Sequence, residues 1–313
     1  MNGSILCGDI GGTNARLALM REGIMGEVVN LAVADHPDLA SAIRTFLGDR
    51  PAPEGALLAV AGPVADGRCV LTNSGWVVDA AELRRATGAQ WVSVVNDFEA
   101  QVWALPALGT GDLEPLGGGP VRSDRPMAMI GPGTGLGMAC LMPNGTVVVS
   151  EGGHATLAAG DDREAAALSW LRRKFDHVSA ERILSGDGME NLHAALAALD
   201  GVAHTHRESP MITAAALDGS CPRCVETVDR FCALLGSLAG DLALTFGARG
   251  GVFITGGIAP SILPALRRSP FRSRFEHKGR FRDWLAPIAT PVVTRRNAAF
   301  AGIAARLASG RRD

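Results

Sequence analysis

"GDIGGTNARLALM", residues 8–20, sets an acidic residue, paired glycines and two small polar side chains between apolar stretches. Residues 131–142, "GPGTGLGMACLM", repeat the scheme: an apolar run, a glycine-laden turn with a threonine, then a second apolar run. Both turns lead into strand-like segments, "ARLALM" and "LGMACLM", whereas a dinucleotide site of the common type needs a helix after its glycine turn. The glycines at 131, 133, 135 and 137 fail G-x-G-x-x-G, and neither turn contains the G-x-x-x-x-G-K-[ST] of a P-loop. Both therefore read as hairpin tips whose backbone amides can face an anion, with the missing Cβ atoms allowing close approach and positive φ. One such turn is explained by hairpin geometry alone. Two, each with a threonine and each opening an equivalent half, point to a ligand shared by the halves. Asp9, at the end of the first strand, would then lie near phosphates, a tolerable place for an anion only with a divalent cation between.

Outward from these turns the chain alternates strand and helix patterns. "SILCGDI", "ARLALM" and "EVVNLAV" read as strands, "PDLASAIRTFLG" as helix, and "GALLAVAGPV" and "RCVLTN" as strands again. After the helix "DAAELRRATG", "WVSVVNDFEAQVWALP" passes from apolar strand directly into a helix closed by Pro106. Residues 107–125, rich in Gly and Pro, are the expected hinge. The second half repeats the grammar with "PMAMIG", "LGMACLM" and "TVVVSEGG" as strands, then helices over 163–174, 180–184 and 189–199. A long helix follows over about 221–246, where Val225, Val228, Phe231, Cys232, Leu235, Leu238, Leu242 and Phe246 keep one stripe. "GGVFITGG" leads from strand to the helix "APSILPALRR", and "PIATPVVT" is a last strand before a C-terminal helix. Each half is thus a mixed sheet opened by a glycine-turn hairpin and covered by helices.

Composition bounds the function. The chain has 313 residues, 47% hydrophobic and 20% charged, an ordinary globular balance. A net charge of −2 gives no bias toward nucleic acid or membrane. The seven basic residues between Arg267 and Arg282 read as a solvated face, with attraction of an anionic ligand as the alternative. The start "MNGSILCGDI" has no basic n-region and no bilayer-length apolar run occurs, so a cytoplasmic protein is expected. The six cysteines lack the density of a disulfide scaffold. "CPRC" at 221–224 is a lone CxxC without a second pair or a nearby ligand-spaced histidine pair. It reads as buried thiols on a helix, with structural zinc or redox chemistry as the alternative.

"GDIGGTNARLAL", "VVNDFEAQ", "GPGTGLG", "EGGH", "SAERILSG", "GSLAGDLAL" and "GGVFITGGIAP" together resemble the bacterial glucokinases, in the non-repressor-type group of the hexokinase, actin and heat-shock chaperone ATPase superfamily. The likeness runs in order along nearly the whole chain. It implies an α/β fold of two ribonuclease H-like (actin-like ATPase) domains with a cleft between them: a small domain of residues 1–107 plus about 297–313, and a large one of 108–296. It also implies ATP and Mg²⁺ as cofactors, hexose and ATP as substrates, and a homodimer. Phosphate contacts would come from Gly8, Asp9, Gly11, Gly12, Thr13, Asn14, Gly131, Gly133, Thr134 and Gly135, with Gly256 and Gly257 at the adenosine and Asp9 at Mg²⁺ through water.

The same resemblance assigns Asn96, Asp97, Glu151, His154 and Glu181 to the sugar, with Asp97 as the base facing the 6-hydroxyl. Asn96 and Asp97 lie where a strand ends and a helix begins, so the helix N-terminus favours an ionised carboxylate; the plainer reading is a helix cap. Glu151 and His154 follow a strand across two glycines, and Glu181 stands just after Ser179, an adequate N-cap. The implied reaction moves the γ-phosphoryl group of ATP to O6 of D-glucose. Kinases for fructose, mannose or several hexoses are the enzymic alternatives. A chaperone-like or filament-forming ATPase has no use for "NDFEA", "EGGH" and "SAER" together, and the sugar-sensing repressors carry a DNA-binding helix pair and a zinc motif that "CPRC" does not match. Only Lys174 and Lys278 are lysines, and neither lies in a glycine turn, so amides, threonines and metal must carry the phosphate charge.

Overall fold

The computed structural model describes residues 3–71, 74–203 and 205–310. Thr72 and Asn73, at the end of the expected strand "RCVLTN", and residues 311–313 of the expected small domain lie outside the described residues. Contacts divide the chain into two compact units, Met1–Leu108 with Arg296–Asp313, and Gly109–Arg295.

In the first unit β1 (Ile5–Ile10) and β2 (Asn14–Arg21) form an antiparallel hairpin with Ile10 opposite Ala15 and Asp9 opposite Arg16. That register leaves Gly11, Gly12 and Thr13 as the tip. β3 (Ile24–Met25) and β4 (Val29–Ala32) pair with β2. After α1 (Leu39–Leu47), β5 (Gly55–Val60) returns parallel to β1. All of β5 is buried, as a strand paired on both edges and covered on both faces requires. β6 (Arg68–Val70) and β7 (Val77–Asp79) make a separate two-stranded ladder ahead of α2 (Ala80–Thr87). β8 (Trp91–Asn96) lies parallel to β5 and runs without a loop into α3 (Asp97–Trp103). The sheet order is β3-β2-β1-β5-β8.

The second unit repeats the plan. β9 (Leu113–Pro115) is followed by the hairpin of β10 (Met127–Pro132) and β11 (Leu136–Leu141), with β12 (Val147–Ser150) beside it. The helices α4 (Asp162–Leu171), α5 (Gly186–Leu199), α6 (Ser209–Leu217) and α7 (Pro222–Phe246) precede β13 (Gly251–Ile254), which is parallel to β10. Short helices α8 (Ile258–Ser261), α9 (Leu263–Arg268), α10 (Phe271–Glu276) and α11 (Arg282–Leu285) lead to β14 (Pro291–Val293). The order is β12-β11-β10-β13-β14-β9. The chain then re-enters the first unit as α12 (Ala298–Ala308), which packs on α3.

α7 buries Val228, Phe231, Cys232, Leu235 and Leu242 from its expected stripe and ends at Gly247, whose left-handed φ of +60° satisfies the cap without a Cβ penalty. Gly236 and Gly240 lie where α10 crosses: an added Cβ would meet Phe271 O at 2.1 Å and Phe275 O at 2.5 Å.

Four expectations are corrected. The hinge at 107–125 is only partly loop, because Leu113–Pro115 pairs with β14 as an edge strand of the second sheet. Residues 180–184 form successive turns, not a helix, held by Ala180 N to Ala155 O and Glu181 N to Gly153 O, each 2.9 Å. α6 is an additional helix; its apolar residues surround it and leave no stripe to read, with Ile212 and Ala216 buried. The basic stretch is only partly a solvated face: Arg267, Arg268, Arg280 and Arg282 are exposed, but Arg274 pairs with the fully buried Glu164 carboxylate at 2.8 Å, Arg272 with Glu276 at 2.7 Å, Lys278 with Asp241 at 2.6 Å, and Arg267 with Glu114.

Candidate active site

The tip of the first hairpin is braced by Gly11 N to Asn14 O at 2.9 Å, by Val33 N to Thr13 O at 2.9 Å, and by Asn30 Nδ2 to Asn14 Oδ1 at 2.9 Å. Thr13 is exposed, and Gly11 and Gly12 are half-buried. Gly8 is different. It lies inside β1, paired with Leu17 on one side and Leu58 on the other, and a Cβ there would come 2.7 Å from Leu58 Cδ2. Its backbone belongs to the sheet and its lack of a side chain to the core. Asp9 Oδ2 accepts from Arg16 Nη1 at 3.0 Å, a pairing that hairpin register alone could have revealed. Burial pushes the Asp9 carboxyl above the usual carboxylate range, and the Arg16 charge and hydrogen bond only partly counter it.

In the same unit Asn96 closes β8 and caps α3. Its Oδ1 accepts from Phe98 N at 2.9 Å and its Nδ2 donates to Gly62 O at 3.0 Å. Asp97 is the first residue of the helix, and its Oδ1 also accepts from Phe98 N at 2.9 Å. An ionised carboxylate at this helix start gains from the dipole. The capping role of Asn96 is therefore real, and it orients the residue beside it.

In the second unit Gly133, Thr134 and Gly135 form the equivalent tip, with Thr134 exposed as Thr13 is. Gly131 is paired with Gly137 inside the hairpin and is buried, so like Gly8 it is strand backbone. Positive φ does not explain either tip: among the site glycines only Gly256 has it, at +80°. Close approach does. A Cβ on Gly256 would meet Pro132 O at 2.3 Å, one on Gly153 would meet Leu136 O at 2.1 Å, and one on Gly135 would meet Glu181 Oε2 at 2.6 Å.

These approaches draw the second unit's expected residues together. Glu181 Oε2 accepts from Leu136 N, the amide just past the glycine tip, at 2.9 Å. Its Oε1 is 3.9 Å from His154 Nδ1, and His154 Nε2 is 3.9 Å from Glu151 Oε2. The imidazole thus stands between two carboxylates, with His154 61% and Glu151 58% exposed at the side chain and Glu181 32%. Thr255 N donates to Ile130 O at 2.8 Å, and Gly186 N to Gly133 O at 2.9 Å, which locks the tip between the Gly256–Gly257 turn and the start of α5. Beside Glu181 opens a cavity of about 530 Å³ lined by His154, His177, Ser179, Lys174 and Arg182 among others. Sequence reasoning did not single out His177 or Arg182; their only signal is proximity in number to Glu181. The arrangement offers carboxylates and an imidazole to a polyhydroxyl ligand, next to amides suited to an anion.

Residues 6–310 match the sequence profile of the glucokinase family. The chain belongs to that family. It is 46% identical over 314 aligned positions to a glucokinase of Paramagnetospirillum magneticum, covering 97% of each chain. The crystal structure of a glucokinase from an Antarctic psychrotroph is 38% identical and superposes with a TM-score of 0.88 over 99% of this chain and 100% of that one. A glucokinase of the ROK family from Streptomyces griseus, solved with glucose and AMPPNP, has the same fold at 22% identity and a TM-score of 0.65, covering 97% of this chain and 99% of that chain. This glucokinase-family chain accordingly has the two-domain actin-like ATPase fold, and its homologues mark it as an ATP-dependent hexose kinase.

Proposed function

We propose that this chain transfers the γ-phosphoryl group of ATP to O6 of D-glucose, with Asp97 as base and Asn96, Glu151, His154 and Glu181 as sugar ligands. The observation that carries the residue roles is the bond from Leu136 N to Glu181 Oε2, which fastens a sugar-binding carboxylate to the glycine tip that would hold phosphate. Asp97 accepts the 6-hydroxyl proton as O6 bonds to the γ-phosphorus and the bond to the β-phosphate oxygen breaks, releasing ADP. Asn96 keeps Asp97 at the helix start and has a second amide N–H to offer a hydroxyl. The Gly11–Asn14 and Gly133–Gly135 tips supply threonine hydroxyls to the phosphates together with amides other than those of Gly11 and Gly133, which are bonded to Asn14 O and Gly135 O, and Gly256 and Gly257 flank the adenosine. Neither lysine replaces them: Lys174 is bonded to Asn191 and Lys278 to Asp241.

Mg²⁺ fits the donor chemistry. Asp9 is a hard oxygen donor beside the first tip, with one oxygen engaged by Arg16, and Mg²⁺ is usually held by one or two carboxylates, waters and substrate phosphates. When bound it would neutralise charge on the phosphate oxygens, with Asp9 holding it through water. A homodimer in the cytoplasm is the proposed assembly and location; light scattering that returns the mass of one chain at working concentration would rule out the dimer. The activity is tested by coupling ADP release to a panel of hexoses at several Mg²⁺ concentrations. Glucose should be the best acceptor with strict Mg²⁺ dependence. Higher kcat/KM for fructose or mannose would transfer the assignment to that sugar, and hydrolysis indifferent to sugar would refute it.

A further inference from the structure

The CxxC at 221–224 contains none of the residues assigned to sugar or nucleotide. Cys221 is half-buried and precedes α7, its Sγ accepting from Cys224 N at 3.4 Å as the helix N-cap. Cys224 is fully buried, and its Sγ is 3.8 Å from Nε2 of His193, a 3% exposed histidine from the middle of α5. The donor atoms of His193, Cys221 and Cys224 all lie within 4.8 Å of one another. Zn–S bonds of about 2.3 Å and Zn–N bonds of about 2.0 Å in a tetrahedron require donor separations of roughly 3.5–3.8 Å. The observed Nε2 to Sγ distance already meets that, and the remaining adjustment falls on the half-buried Cys221.

We propose that His193, Cys221 and Cys224 bind one thiophilic divalent cation of the Zn²⁺ class, clamping the start of α7 to α5. Two thiolates and an imidazole form the soft donor set that Zn²⁺ prefers over Mg²⁺ or Ca²⁺. The fourth position is left to solvent, which reaches the cluster on the Cys221 side. Binding releases the two thiol protons and leaves the metal with its two thiolates formally neutral. Arg207 Nη1 donates to Cys224 Sγ at 3.3 Å, an outer hydrogen bond of the kind that fixes a ligating thiolate and disperses its charge. The geometry was hidden in the sequence because the histidine comes from a different helix.

The test uses the full-length, reduced protein, stripped with chelator and titrated with Co²⁺ and then Zn²⁺. One Co²⁺ per chain is expected, with thiolate-to-metal charge transfer and the d–d bands of a tetrahedral site, displaced stoichiometrically by Zn²⁺. Cys221→Ser, conservative at a half-buried position, should weaken Zn²⁺ binding by more than the ~10–100-fold expected for Arg207→Ala, which removes only the outer bond. Cys221→Ser should also abolish the metal-dependent rise in Tm while leaving hexokinase turnover unchanged. Absence of stoichiometric Co²⁺ binding, or an unchanged spectrum in Cys221→Ser, would overturn the proposal. So would thiol titration of protein denatured straight from anaerobic lysate that finds four rather than six free thiols, since the pair would then be a disulfide.

Discussion

Asp97 and Glu181 carry different burdens, and single substitutions separate them. As the proposed base, Asp97 would serve the chemical step, so Asp97→Ala should lower kcat by ~10²-fold or more while nucleotide affinity, read by calorimetry, stays within a few-fold of the parent. Turnover at the parent rate would remove Asp97 from the mechanism. Glu181 is the proposed sugar ligand, and Gly135 is what gives its carboxylate room. In Gly135→Ala the new methyl would stand 2.6 Å from Glu181 Oε2, the free end of a flexible side chain, so the carboxylate moves and the backbone need not. The bond to Leu136 N is then lost or lengthened, and one misplaced charged hydrogen bond is worth ~1.5–3 kcal/mol. The expected signature is a KM for glucose raised about tenfold or more with Tm little changed. A fall in Tm without a change in KM would mean that Gly135 serves the hairpin and not the ligand.

The element that presents Asp97 depends on a helix from the far end of the chain. α12 crosses α3 so closely that a Cβ on Gly302 would sit 1.8 Å from Ala100 O. Backbone cannot yield as a side-chain tip can, so Gly302→Ala must push α12 off α3, at a cost of ~1–3 kcal/mol from overpacking. Because α3 starts at Asp97, thermal melting should show the loss and kcat should fall with it, whereas unaltered stability would disprove the close crossing. Much at this scale is legible in the sequence. The hairpin tips, the passage from strand to helix in "VVNDFEA" and the stripe of α7 are local patterns, and periodicity reports them. What escapes is set by partners distant in number. Glu181 sits in turns held by Gly153 O and Ala155 O, His193 meets Cys224 from another helix, and the arginines after residue 266 find Glu114 and Glu164. Gly8 and Gly131 look like their neighbours in the motif, and only the sheet register shows that their amides are already spent on strands.

Across the molecule, the two units carry their own cores, and one carboxylate in each is shifted in the opposite sense. In the second unit Arg163 joins Glu226 at 2.9 Å and Asp200 at 2.7 Å, and Arg230 joins Glu226 at 2.8 Å and Asp161 at 3.1 Å, cross-linking α4 to α7. The Arg163 hydrogen bonds hold the Glu226 carboxyl below the usual carboxylate range, against desolvation and with help from Arg230. Its stabilising contribution is therefore fully present above the unfolded value of about 4.3 and disappears as pH falls through the lower folded value. In the first unit burial raises the Asp9 carboxyl, so the folded state keeps that proton longer than the unfolded chain does. Its contribution is present below the unfolded value of about 3.9 and is lost as pH rises through the raised one. Glu226→Gln should thus lower Tm at neutral pH and lessen the further fall on acidification, whereas Asp9→Asn should lessen the loss of Tm on going from acid to neutral pH. Thermal melts between pH 3 and pH 7 compare the slopes directly. Parallel curves for Glu226→Gln and the parent would show that the arginine network is screened by solvent and contributes nothing to acid sensitivity.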